Sequence, residues 1–297
     1  MASIVLVRIE GSEFGAAPVD HPRCYPGQIP GYSYLLVRDA VYPLEAGSTG
    51  RLLEALGECL LRLGVAPLEH RHPVLFYGSN AAPAQLARKY ANSSAGVVVP
   101  AVLGVAHGLD AVYSSHVSGY GAVPATLIAS PGTSLGVHVG LLDDEQVSVL
   151  DATEPNYHRR TLSGRDYPAS LASGEALDSS TAYLSRHGVL LLDGAPRRVA
   201  GVRADGSRLE AATEEAILEE VIELWNRDHP GEALKGTDAY LKAIRTRALD
   251  PADVTSWLKR RARSGNGILG VLDHEIGGPM HRERISPRRG RGDVRLP

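Results

Sequence analysis

Apolar positions along this chain follow two different periods. From Val74 to about Leu192 they come in short dense runs, "GVVVPAVLGVAHGL", "VPATLIAS", "LGVHVGLL" and "YLSRHGVLLLDG", separated by glycine, proline and polar turns. That pattern predicts strands, and their number and spacing predict a curved or barrel-like sheet. From Leu209 the period lengthens. "EAATEEAILEEVIELWN" carries Ile217, Val221, Leu224 and Trp225 on one helical face, with Thr213 as its cap. A second helix is expected from about Thr237 to Ala248, and a third opens at Asp250-Pro251 with Val254, Trp257 and Leu258 inward. Ahead of the strand-rich part lie a strand candidate at Ser3 to Ile9, a Pro/Gly-rich loop from Gly15 to Gly31 and a strand near Ser33 to Val37. A helix follows from about Gly50 to Leu63, with Leu52, Leu56, Cys59 and Leu63 as its stripe.

These changes of period divide the chain into an N-terminal α/β extension (1–72), a strand-rich unit (73–192), a helical region (193–276) and an arginine-rich tail (277–297). The fold class expected is α+β. The tail holds six arginines and two acids from Gly278 onward, with little apolar content to bury, and is expected to be solvated.

Composition narrows the function classes. At 297 residues with 43% hydrophobic content, the chain is long enough for a sizeable core. A net charge of -3 weighs against a dedicated nucleic-acid binder. The apolar start "MASIVLV" is too short for a secretory core and no later run approaches a membrane span, so a cytoplasmic protein with no membrane partner is expected. Cys24 and Cys59 occupy unlike contexts and do not suggest a disulfide framework. No HExxH or similar spacing supports a metal; Asp273-His274-Glu275 and His281 adjoin the tail. No GxSxG elbow singles out a serine nucleophile. Oligomeric state is left open.

Two stretches carry chemistry. "VLFYGSNAAPAQLARKY" reads as a buried strand running through Gly78-Ser79-Asn80 into a helix opened by Pro83. Gly and Asn there suit a tight turn and Ser or Asn suit a cap. The same turn also presents unpaired N–H groups to an anion or a polarised carbonyl. Further on, "LLDDEQVSVLDATEPNYHRR" predicts a helix beginning near Asp143 or Asp144, with Val147, Leu150 and Glu154 on one face. Pro155 stops the helix, placing Glu154 at its C-terminus, where burial and the helix dipole both disfavour a charged carboxyl. Such a group suits proton transfer. A plain ion pair with Arg159 or Arg160 is the alternative.

Taken together, Tyr77-Gly78-Ser79-Asn80 after an apolar strand, Gly136-Val137-His138-Val139-Gly140 about sixty residues later, then Leu150-Asp151-x-x-Glu154 with Tyr157 and Arg159, resemble the gamma-glutamylcyclotransferase-like family. The resemblance spans roughly Val74 to Leu162. Ala81 and Pro155 depart from its usual leucine and glycine. It implies a small mixed β-barrel, here with an N-terminal α/β extension and a C-terminal helical extension, and a pocket between the loop and Glu154. It further implies Glu154 as the catalytic acid/base, and Tyr77, Gly78, Ser79, Asn80, Ala81 and Tyr157 as substrate-binding residues. The implied substrate is a gamma-glutamyl small molecule, whose own α-amine attacks the side-chain carbonyl to release 5-oxoproline and an amine, with no cofactor. Two other classes stay open: a noncatalytic module that binds a carboxylated or gamma-glutamyl ligand, and an amide hydrolase or acyltransferase on the same scaffold.

Overall fold

A computed structural model of the chain describes residues 14–44, 52–93 and 97–260. The strand expected at Ser3 to Ile9, the first residues of the helix expected from Gly50, the arginine-rich tail and the Asp273-His274-Glu275 cluster lie outside the described residues.

The first strands among the described residues form a hairpin, β1 (Tyr34–Val37) and β2 (Ala40–Pro43), followed by helix α1 (Leu52–Arg62). Then come β3 (His72–Phe76), α2 (Pro83–Tyr90), β4 (Val98–Tyr113), β5 (Ala125–Leu142) and α3 (Asp144–Thr153). Next are β6 (Tyr157–Ser163), β7 (Ala169–Leu171), β8 (Ala176–Leu177) and β9 (Ser179–Ser185). Five two-residue strands follow, β10 (Leu191–Leu192), β11 (Ala195–Pro196), β12 (Arg198–Val199), β13 (Ala204–Asp205) and β14 (Ala211–Ala212). Helices α4 (Glu214–Asp228), α5 (Thr237–Arg245) and α6 (Pro251–Lys259) complete the described chain. The mixed α+β class expected from the two periods is what the chain adopts.

The sheet does not close into the barrel that was expected. Twelve strands join one sheet whose main path runs β14-β12-β4-β5-β3-β9-β6, and among the described residues β14 and β6 are its unjoined ends. The spine is one antiparallel pair, β4 with β5, from Ala101 opposite Gly140 to Tyr113 opposite Ala125, with its register shifting between His107 and Leu109. Gly108, at φ +74°, supplies the conformation for that bulge. The outer edge of β4 is taken in succession by β1, β7 and β12, and that of β5 by β3 and β13. Two long strands thus support several short partners, and the edges that would close a ring never meet. "VPATLIAS" and "LGVHVGLL", read as separate strands, are the two ends of the single strand β5.

Both faces of the sheet are covered, as the alternation along its strands requires. Tyr34, Leu36, Val74 and Phe76 face α2 and α3, packing with Leu86, Tyr90, Val147 and Leu150. Leu35 and Leu75 face the other way, into a larger core shared with Leu56 and Leu60 of α1 and with Ile217, Trp225, Tyr240 and Trp257 of α4 to α6. In α1 the buried stripe is Leu52, Ala55, Leu56 and Leu60, whereas Leu63 lies beyond the helix and is 42% exposed. Gly140 explains the second glycine of "GVHVG": a Cβ there would lie 2.2 Å from the Phe76 ring.

Candidate active site

The turn after β3 is a single 3-10 turn, Ser79–Ala81, leading directly into α2 with Pro83 at its start. The first N–H groups of such a turn have no partner within it. Among the described residues the N–H groups of Gly78, Ser79 and Asn80 donate to no protein acceptor. Gly78 is glycine for want of space, not for its dihedral angles. Its φ is -143°, which any residue adopts, but a Cβ would lie 2.7 Å from the Tyr25 hydroxyl oxygen.

Glu154 is placed by the packing of α3. Asp143 caps that helix by accepting from Gln146 N at 2.9 Å, and Gln146 Oε1 accepts from Asp143 N, a reciprocal capping box. Arg71, just before β3 and fully buried at its side chain, donates to Leu141 O at 2.9 Å and to Gln146 Oε1 at 3.2 Å. Tyr90 of α2 donates to Gln146 O at 3.0 Å. These bonds fix α3 against α2 and β5, and Glu154 follows as the C-cap residue ahead of Pro155.

There the Glu154 carboxylate meets the loop. Asn80 Nδ2 donates to Glu154 Oε1 at 2.9 Å, and the Lys89 ammonium of α2 pairs with the same oxygen. The two charged side chains are only 10% and 13% exposed, Lys89 and Glu154 respectively. The arginines named as possible partners lie elsewhere: Arg159 pairs with Asp151, which also accepts from the Tyr183 hydroxyl at 2.6 Å. Lys89 was not singled out from the sequence, although the signal exists. In α2, Gln85 and Lys89 are four apart, on the helix face that follows the loop.

These groups line a cavity of about 190 Å³ between the loop, the end of α3 and the turn before β5. Of the residues expected to touch substrate, Tyr77, Gly78, Ser79, Asn80 and Tyr157 line it together with Glu154, and Ala81 does not. The Ala81 side chain is buried in the α2/α3 core, and its carbonyl accepts from Tyr34 at 3.0 Å. Tyr77 donates to Tyr183 O and Tyr157 to Ala125 O, so their hydroxyl protons are committed to the backbone. Two carboxamide oxygens on the lining, Asn80 Oδ1 and Gln85 Oε1, are buried without a partner among the described residues. Such acceptors cost free energy unless a ligand or water donates to them.

The opposite wall is a segment that no sequence motif marks, Ser118-Gly119-Tyr120. Three helices hold it from behind. Thr255 of α6 accepts from Val117 N at 3.0 Å, Tyr240 of α5 donates to Gly121 O at 3.1 Å, and Glu214 of α4 accepts from Val123 N at 2.7 Å. Burial pushes the Glu214 carboxyl well above the ordinary carboxylate range. His116 also lines the cavity, with its ring 4.8 Å from that of His187 and its Nδ1 2.7 Å from Ser114 Oγ. Burial, then the neighbouring His187, pushes His116 down to about 3, so it is a neutral imidazole. Ser114 is completely buried and off the cavity wall, so this Ser-His contact supports the wall and presents no nucleophile to it. Among the described residues no three His, Cys, Asp or Glu side chains gather as metal ligands, and no helix is long and apolar enough to cross a membrane.

The sequence matches no family model and no curated protein. Among solved structures, the chain is similar to one described as a gamma-glutamyl cyclotransferase, at 14% identity and a TM-score of 0.32, covering 59% of this chain and 99% of that one. It is also similar to the structure of the uncharacterized human protein loc79017, at 14% identity and a TM-score of 0.32, covering 60% of this chain and 99% of that one.

Proposed function

We propose that the chain is a cyclotransferase that releases an amine and 5-oxoproline from a gamma-glutamyl amide. The observation that carries this reading is the meeting of Glu154 with Asn80 of an N–H-rich loop inside one cavity. An acid/base and a set of oxyanion donors are present, and among the described residues no activated protein nucleophile stands beside them. Intramolecular attack needs none. The substrate's α-ammonium first gives one proton to solvent; the resulting amine forms the new C–N bond to the side-chain carbonyl carbon, and the proton then surplus on that nitrogen passes to Glu154. The carbonyl oxygen, now an oxyanion, is held by N–H groups of Gly78, Ser79 and Asn80. As the bond to the leaving nitrogen breaks, Glu154 returns the proton to that nitrogen. One carboxyl group serves both transfers, an effect of about 10²- to 10⁴-fold. Holding the substrate folded for ring closure supplies more, since intramolecular effective molarities reach about 10⁵ M or above.

The pairing with Lys89 supports a carboxylate that enters as the base. The unpaired oxygens of Asn80 and Gln85 support a ligand rich in N–H, as an α-ammonium is.

Products decide the matter. A panel of gamma-glutamyl amides, each tested free and with its α-amine acetylated, is incubated with the protein and resolved by mass spectrometry. The expected result is 5-oxoproline from the free compounds alone. Glutamate as the first product would replace this reading with hydrolysis, and binding without turnover would replace it with a ligand-binding module.

A further inference from the structure

Five tyrosines line the cavity; Tyr120 stands beside Ser118 on the opposite wall, and the other four differ in what they do with their hydroxyl protons. Tyr77, Tyr157 and Tyr183 each donate to a protein acceptor, the first two to backbone carbonyls and the third to Asp151. Tyr25 does not. Its oxygen accepts from Ala125 N at 2.7 Å, and among the described residues that is the hydroxyl's one hydrogen bond. The residue is only 6% exposed, so a hydroxyl proton without an acceptor is costly there. The oxygen also stands over Gly78, 2.7 Å from where a Cβ would be. It therefore adjoins Gly78, the first of the three residues whose backbone N–H groups donate to nothing among the described residues, and it lies on the cavity wall with all three.

Tyr25 reaches this place from a segment that precedes the YGSN stretch by some fifty residues. That segment is tied down on both sides. Asp20 pairs with Arg88 of α2 at 2.6 Å, and Arg23 pairs with Glu215 of α4 at 3.2 Å and Asp238 of α5 at 2.9 Å. Gly27, at φ +93°, lets the chain turn against Ala82, where a Cβ would come within 3.0 Å. Position, burial and an uncommitted donor thus coincide beside the first residue of the loop.

We propose that Tyr25 is a catalytic residue of this cavity, donating its phenolic proton as a hydrogen bond to the carbonyl oxygen that becomes the oxyanion. The inference rests on the cyclotransferase reading above. No proton is transferred: the phenol stays protonated throughout, in keeping with burial that holds its acidity far below that of an ordinary tyrosine. A donor needed only when charge develops on the oxygen raises kcat and leaves KM nearly unchanged.

The test uses the full chain with a gamma-glutamyl amide that the wild type turns over. Tyr25→Phe is expected to lower kcat about a hundredfold, the scale of one oxyanion donor, with KM within about twofold. Because this variant also leaves Ala125 N unpaired, a second series keeps the oxygen in place: mono-, di- and trifluorotyrosine incorporated at position 25. Their kcat is expected to change steadily with phenol acidity while melting temperature holds. A folded Tyr25→Phe with wild-type kcat, or a flat fluorotyrosine series, overturns the assignment and leaves the cyclotransferase reading standing. Wild-type protein that binds the amides and turns over none of them removes that reading and the catalytic role of Tyr25 with it. Should Tyr25→Phe fail to fold, the fluorotyrosine series decides by itself, a steady trend supporting the role and a flat one overturning it.

Discussion

Asn80 and Glu154 are 74 residues apart in the sequence, and the amide nitrogen of one lies 2.9 Å from a carboxylate oxygen of the other. Lys89, one helix turn beyond Gln85, completes the contact from α2. The loop and the carboxyl group to which the proposed function gives oxyanion binding and proton transfer are thereby held in a fixed relation by packed helices.

Glu154→Gln keeps the shape of the side chain and removes its ability to exchange a proton. Turnover is expected to fall at least about a hundredfold in protein that keeps the circular dichroism of the wild type, although the Lys89 cation left without its partner lowers the melting temperature. A folded variant with near-normal turnover would falsify the acid/base role.

Lys89→Met leaves a carboxylate that is mostly buried without its cation, and breaking such a pair from one side costs on the order of 3 kcal/mol. Adding Glu154→Gln removes the stranded charge, so the double variant is expected to be more stable than Lys89→Met alone. Denaturant titration of all four forms gives the coupling, expected at about 1 kcal/mol or more. Additive losses would mean that the two groups do not sense each other in solution.

Gly78→Val is expected to damage ligand binding and stability far more than Ser79→Ala. The reason is steric: the new Cβ would fall on the Tyr25 oxygen, which is itself held at Ala125 N. Overpacking of this kind costs about 1–3 kcal/mol. If Gly78→Val binds a gamma-glutamyl ligand and melts as Ser79→Ala does, Tyr25 does not occupy that place.

His116 links the cavity wall to acid sensitivity. Its folded value of about 3 lies below the ordinary 6.5, so between those two pH values the unfolded chain takes up a proton that the folded chain does not. Stability is therefore present above pH 6.5 and is lost as pH falls toward 3. His187, pushed down to about 4 by burial and then by Lys259 and Arg186, acts in the same direction. In His116→Gln the loss of stability over this window is expected to be shallower than in the wild type. Parallel curves from urea melts at stepped pH would show that His116 is protonated without penalty.

Local chemistry was legible in the sequence where neighbouring residues set it. The start of α3 at its Asp143 cap, the Thr213 cap of α4 and the Asp250-Pro251 start of α6 depend on side chains bonding within three residues, and each appears where its pattern stands. The inward stripe of α3 put Val147 and Leu150 in the core and Glu154 at the helix end for the same reason. Closure of the sheet was a different kind of question. Short apolar runs fix which segments are strands but not which edges meet, and here β1, β7 and β12 share one edge of β4 while β6 and β14 stay apart. The same limit hid Lys89, Tyr25 and the Ser118-Gly119-Tyr120 wall. None of them is marked by its neighbours in sequence. They reach the cavity because α2 packs on α3, because ion pairs tether the segment around Tyr25, and because three C-terminal helices hold the turn before β5. What the order of residues determined was each element and its caps. Which distant side chains share one cavity was decided by burial of the sheet's two faces, a property of the whole chain.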